Sequence, residues 1–178
     1  MDASTTSSGV TYVRAEDRET QAGSIPVLPV RLAFTDSAAQ ALYASGPAPA
    51  TSRSAGTDLR ACLKGEEAEI GPGCRLAVPT GLRIQPLQPG WAGFVYARSG
   101  LGARDGLTVA QGVGVIDPDY TGEIIVFLLN TSAEKRRIVR GERIAQLLFL
   151  PYARPDFLVD GDLQTTERGA GGFGHTGR

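Results

Sequence analysis

Four short segments of this chain concentrate groups that can grip an anion and move a proton: residues 55–61 (Ala-Gly-Thr-Asp-Leu-Arg-Ala), 97–101 (Ala-Arg-Ser-Gly-Leu), 112–122 and 168–177. In the second, Arg98, Ser99 and Gly100 set a guanidinium, a hydroxyl and an accessible backbone N–H side by side. That combination suits phosphate oxygens by charge and by geometry. Taken alone, the same three residues also read as a surface arginine beside an N-capping serine. In the third segment, Gly112 and Gly114 let a ligand lie against the backbone, and Asp117 follows two apolar residues at a strand end. A carboxylate there can orient and deprotonate a water. Asp117-Pro118-Asp119 reads equally well as a turn with Asx-type hydrogen bonds.

The fourth segment is hardest to explain structurally. Five glycines in ten residues cost roughly 0.5–1 kcal/mol each in ordering entropy relative to alanine and add nothing to a core. Phe173 at its centre is suited to stack on an aromatic ring, and Arg168, His175 and Thr176 to hydrogen-bond a terminal phosphate. A disordered terminus is the alternative, but such tracts are usually serine-rich or charged and do not centre on an aromatic.

Other chemistries are excluded. No G-x-x-x-x-G-K-[ST] and no G-x-G-x-x-G occurs, so the common glycine-rich phosphate cradles are absent. The single histidine, His175, lies among glycines where no packed shell can orient it as a catalytic base. Cys62 and Cys74 form no C-x-x-C pair, which argues against a zinc site or a disulfide framework. The net charge of -1 supplies no basic field for nucleic acid or an anionic membrane, so the expected ligand is small. The chain has no targeting pattern at its start and no apolar run long enough for a bilayer, and a cytoplasmic location is expected.

Residues 1–25 are polar and aperiodic and read as a disordered or loosely attached arm. A domain over 26–164 and a tail over 165–178 follow. Strand-length apolar stretches recur at 27–34, 74–78, 82–84, 91–96, 113–116, 123–129, 143–150 and 157–159, separated by Gly, Pro and Asp turns. This predicts an all-β sandwich or barrel, with helical turns at 38–45 and 99–104. Residues 124–129 (Ile-Ile-Val-Phe-Leu-Leu) form a continuous apolar run, so both faces of that strand need cover, in part from a second sheet or another subunit.

Residues 55–59, 98–101, 114–123, 141–146 and 168–177, in this order and spacing, resemble the five motifs of the trimeric dUTP pyrophosphatases, or dUTPases. The resemblance covers about residues 27 to 178. It implies a jelly-roll β fold assembled as a homotrimer, with active sites between subunits and a flexible glycine-rich C-terminal tail closing over each. It implies cleavage of dUTP to dUMP and pyrophosphate, with Mg²⁺ held by the triphosphate and water and by no protein ligand directly.

Carried over by position, Asp117 is the general base, while Arg98, Ser99, Gly100 and Gln146 contact the phosphates. Backbone groups from Gln111, Gly112, Gly114, Val115 and Ile116 pair with uracil, and Tyr120 packs under the deoxyribose and excludes a ribose 2′-hydroxyl. Asp58 supports the site and its metal-bound waters. Phe173 stacks on uracil, and Arg168, Gly174, His175 and Thr176 close on the γ-phosphate. His175 stands where many members carry Ser, and Gln111 where many carry Asn. A dCTP deaminase shares the fold and an Arg-Ser motif, but places a catalytic Glu within the sheet and lacks the Gly-Gly-Phe-Gly tail. A catalytically idle nucleotide-binding module would have no use for the carboxylate of Asp117.

Overall fold

The computed structural model describes residues 27–44, 46–159 and 161–172. The expectations placed on residues 1–25 and on Phe173, Gly174, His175 and Thr176 lie outside them. Every strand pairing is antiparallel. Eleven strands lie among the described residues: β1 (Val30–Phe34), β2 (Thr57–Arg60), β3 (Glu67–Ile70), β4 (Arg75–Pro79), β5 (Leu82–Pro86), β6 (Trp91–Ala97), β7 (Leu107–Val109), β8 (Gly114–Ile116), β9 (Ile125–Asn130), β10 (Arg136–Val139) and β11 (Arg143–Pro151). One short helix, α1 (Ser37–Tyr43), is capped by the Asp36 carboxylate, which accepts from the Ala39 N–H at 2.7 Å. A single π-helical turn occupies Gly100–Arg104.

Four small sheets result, in the orders β2-β11-β6-β8, β4-β9-β7, β1-β5 and β3-β10. They share one core, with Leu59, Val95, Ala145 and Leu147 from the first packing with Val78, Val109, Val126 and Leu128 from the second. The all-β jelly-roll expectation holds. The longest strand, β11, runs through the first sheet between β2 and β6 and is the backbone of the candidate site.

Strand β9 refines the reading of the apolar run. Val126, Leu128 and Asn130 point inward at 2% exposure or less, whereas Ile125 and Phe127 are 46% and 47% exposed. Period-two alternation therefore survives beneath a uniformly apolar sequence, and this chain covers only one face. Asn130 is tolerated inside because its amide donates to the carbonyls of Ile70 (2.9 Å) and Glu134 (2.7 Å) and its oxygen accepts from Ser132.

Strands β2, β3, β7 and β10 escape the apolar-run reading because they are short or charged. Strands β3 and β10 form a ribbon carrying the cross-strand pairs Arg137–Glu67 and Lys135–Glu69, which balance charge where a pattern of hydrophobic residues is missing. Residues 157–159, expected as a strand, have no strand partner, and Phe157, Leu158 and Val159 are 84% or more exposed. Apolar composition alone does not make a strand without an edge to pair with.

Candidate active site

The first cluster is built on three neighbouring strands. Gln146 on β11 sits opposite Asp58 on β2 and opposite Tyr96 on β6, so all three share one face of the sheet. Arg98, two residues beyond Tyr96, follows on that face. Arg143 lies three residues from Gln146, and in a regular strand it would point the other way. The register shifts by one residue between Arg143 and Ala145, setting Arg143 opposite Arg60 and on the same face as Asp58. The bulge thus recruits a second guanidinium.

Asp58 is the anchor. Its Oδ1 accepts from Arg98 Nε at 2.9 Å and its Oδ2 from Arg143 Nη1 at 3.2 Å. Arg98 Nη1 also donates to the Arg143 carbonyl at 3.4 Å. Two cations against one carboxylate leave the cluster net positive, with guanidinium donors of Arg98 still unused. Gln146 Nε2 donates to the Ala97 carbonyl at 3.0 Å, and its Oε1 lies where a side chain on Gly56 would be, so Gly56 is what admits it. Asp58, Arg98, Ser99, Gly100 and Gln146 border one cleft. Ser99 makes no capping hydrogen bond, which removes the alternative of a serine that serves only as an N-cap.

The second cluster surrounds β8. Gly114 faces Val95 across β6, and a Cβ there would approach the Val95 Cβ and the Gln111 amide at 3.2 and 3.3 Å. Gly112 takes a left-handed φ of 81°, closing a turn in which its N–H donates to the Val109 carbonyl. The resulting cleft, about 360 Å³, is bordered by Gln111, Gly114, Val115, Ile116, Asp117 and Tyr120, with Glu123 to Phe127 on the far side. That volume is in the range of small-molecule sites.

Asp117 ends β8. Its backbone carbonyl accepts from the Tyr120 N–H at 3.0 Å, so residues 117–120 do form a turn. Its carboxylate, however, has no hydrogen-bond or ion-pair partner among the described residues and is exposed at the rim of two adjoining clefts. The second of these is bordered by Phe94, Val115, Pro118 and Tyr152. Tyr120 is 46% exposed and is no core tyrosine; its hydroxyl donates to the Glu123 carbonyl at 2.8 Å.

One chain does not bring the two clusters together. Ile116 pairs with Gly93 near the start of β6, so Asp117 lies beside Ala92, six residues from Arg98. At about 3.3 Å per residue that is roughly 20 Å along the strand. Arg168 joins neither cluster, since its guanidinium turns back on the tail, donating to the Gly171 carbonyl at 2.9 Å. Sequence reading missed Arg143 because three-residue spacing along a strand disguises a shared face. It also passed over Glu123, whose Oε1 accepts from the Gly81 N–H at 2.7 Å beside the β8 cleft.

Comparison with known proteins identifies the family. The dUTPase family model matches residues 43–177. Deoxyuridine 5′-triphosphate nucleotidohydrolases of Enterobacter sp. and Cronobacter sakazakii are 45% and 46% identical over 132 residues, covering 74% of this chain and 86% of each relative. A dUTPase structure from Streptococcus mutans is 30% identical with a TM-score of 0.56, covering 74% of this chain and 98% of its own. A Staphylococcus bacteriophage 80alpha dUTPase variant with dUpNHpp shares the fold at a TM-score of 0.73 and 21% identity, covering 84% and 99%. With the family model spanning most of the sequence and relatives of this identity aligned over three quarters of it, the chain belongs to the dUTPase family.

Proposed function

We propose that this chain hydrolyses dUTP to dUMP and pyrophosphate, lowering dUTP and supplying dUMP for dTMP synthesis in the cytoplasm. The observation that carries the reading is the unpaired carboxylate of Asp117 at the mouth of the β8 cleft. Asp117 accepts a proton from water as the water oxygen attacks the α-phosphorus in line. The bond from that phosphorus to the oxygen bridging to the β-phosphate breaks, and pyrophosphate leaves. Arg98, Ser99, Gly100 and Gln146 offset charge on the phosphate chain. Backbone groups of residues 111–116 pair with uracil, and Tyr120 packs under the deoxyribose.

The donor set fits a Mg²⁺ held by substrate oxygens and water. The Asp58 carboxylate is already engaged by two arginines, which leaves it to act on the ion's waters and not on the ion. When bound, the ion supplies charge neutralisation at the triphosphate, with Asp58 organising its outer waters.

The separation of the clusters supports a homotrimer with sites between subunits. With the backbone positions of Asp117 and Arg98 roughly 20 Å apart along the sheet, a complete site takes Asp117 of one copy and Arg98 of another. The exposed Ile125 and Phe127 offer apolar surface for such contact. The arm at 1–25, the catalytic domain at 26–164 and the substrate-closing tail at 165–178 belong to the same proposal, with Phe173, His175 and Thr176 acting in the closed state.

The test is pyrophosphate release from dUTP, dTTP, dCTP and UTP with Mg²⁺. Turnover of dUTP far above the others is expected, and ammonia from dCTP or no turnover of any triphosphate would overturn the reading. Light scattering should return about three times 18.7 kDa; a fully active monomer would contradict a shared site.

A further inference from the structure

The segment from Asp117 to Glu123 is pinned at four points. The Tyr120 N–H donates to the Asp117 carbonyl (3.0 Å), the Tyr120 hydroxyl to the Glu123 carbonyl (2.8 Å), Arg83 Nε to the Thr121 carbonyl (2.7 Å) and the Gly81 N–H to Glu123 Oε1 (2.7 Å). The backbone around Tyr120 is therefore fixed. Its ring, at 46% exposure, is not walled in by the core, so its position depends on what the loop itself leaves open.

Gly122 leaves that space. A Cβ at this position would fall 2.5 Å from the Tyr120 hydroxyl oxygen, 2.6 Å from Cζ and 2.9 Å from Cε2. Those separations are inside van der Waals contact, and any side chain at 122 must displace the ring that bonds the Glu123 carbonyl. Gly122 is not among the residues with left-handed φ, so its backbone does not demand glycine. The ring does.

We propose that Gly122 is a specificity-determining residue: by seating the Tyr120 ring at the β8 cleft, it sets the rejection of a ribose 2′-hydroxyl. The inference rests on the reading that Tyr120 packs under the deoxyribose. It predicts that an added methyl group at 122 blunts sugar discrimination without touching the water-activating carboxylate.

The experiment compares kcat/KM for dUTP and UTP in the wild type, Gly122→Ala, Tyr120→Ala and the double variant, with thermal unfolding as a fold check. Gly122→Ala should lower the dUTP-to-UTP ratio by about tenfold or more at a near-native melting temperature. The double variant should match Tyr120→Ala, because the glycine acts only through the ring. If Tyr120→Ala leaves the ratio unchanged, the role given to Tyr120 falls and this inference with it. If Tyr120→Ala lowers the ratio and Gly122→Ala does not, only the role of Gly122 is overturned. Should Gly122→Ala fail to fold alone, the double variant decides by its melting temperature: recovery of the fold once the Tyr120 ring is removed supports the proposal, and a double variant that also fails to fold overturns it.

Discussion

Arg98 Nε lies 2.9 Å from Asp58 Oδ1, and the aspartate side chain is only 14% exposed. This pair fixes the guanidinium before any ligand arrives, so the ordering of a long side chain is not charged to binding. Replacing Asp58 with Ala leaves Arg98 and Arg143 as adjacent like charges with no anchor. A charge-assisted hydrogen bond contributes about 1.5–3 kcal/mol, so kcat/KM for dUTP should fall by about 10- to 100-fold, with a clear rise in KM. Arg143→Ala, which removes only the outer partner of Asp58, should cost less. Steady-state kinetics on both variants check the order; equal kinetics to wild type in Asp58→Ala would remove it as the anchor.

Asp117→Asn keeps the shape of the side chain and removes its basicity. Since the carboxylate has no partner among the described residues, the substitution breaks no structural bond and the fold should be unaffected. The expected outcome is a fall in kcat of about 10²- to 10⁴-fold, the usual contribution of general base catalysis. Binding of a non-hydrolysable dUTP analogue, measured by calorimetry, should stay within a few-fold of wild type. Loss of binding in step with turnover would assign Asp117 to ligand contact instead.

Fold and site were legible to different depths. Strands such as β6, β9 and β11 declare themselves because each carries an apolar stretch of strand length. Strands β3 and β10 do not, because their pairing is satisfied by Glu67, Glu69, Lys135 and Arg137 across the ribbon, a relationship invisible along a single stretch of sequence. Asp117, Arg98 and Gln146 stand in motifs that mark them as candidates. Arg143 and Gly122 were not, because the role of one depends on a bulge and that of the other on the space taken by a neighbouring ring.

Deleting residues 165–178 should spare the fold and impair hydrolysis. Residues 165–172 belong to no strand and are mostly exposed, and contacts such as Arg168 Nε to the Gly171 carbonyl and the Gly169 N–H to Thr166 Oγ1 stay within the segment. Nothing in the shared core is lost with them. Circular dichroism and the melting temperature should match those of the full chain, while kcat/KM for dUTP falls sharply. An unfolded deletion variant would show that the segment is structural.

Tyr43 links stability to alkaline pH. Its ring is buried at 5% exposure, its hydroxyl donates to the Thr80 carbonyl at 3.0 Å and accepts from the Arg60 N–H at 2.9 Å. Burial pushes its pKa up from 10.0 to about 12, because an ionised phenolate would be stranded away from water. The unfolded chain ionises this group first, so its contribution is fully present below about pH 10 and is lost as pH rises through about 12. Across that window the loss is about 3 kcal/mol, at about 1.36 kcal/mol per pKa unit. Tyr43→Phe should cost about 1–3 kcal/mol near neutral pH, since the Arg60 N–H and Thr80 carbonyl lose a partner, but should lack this alkaline fall. Urea unfolding of both proteins between about pH 8 and about pH 12 should show the gap between them closing as pH rises. A constant gap would mean that ionisation of Tyr43 is not coupled to unfolding.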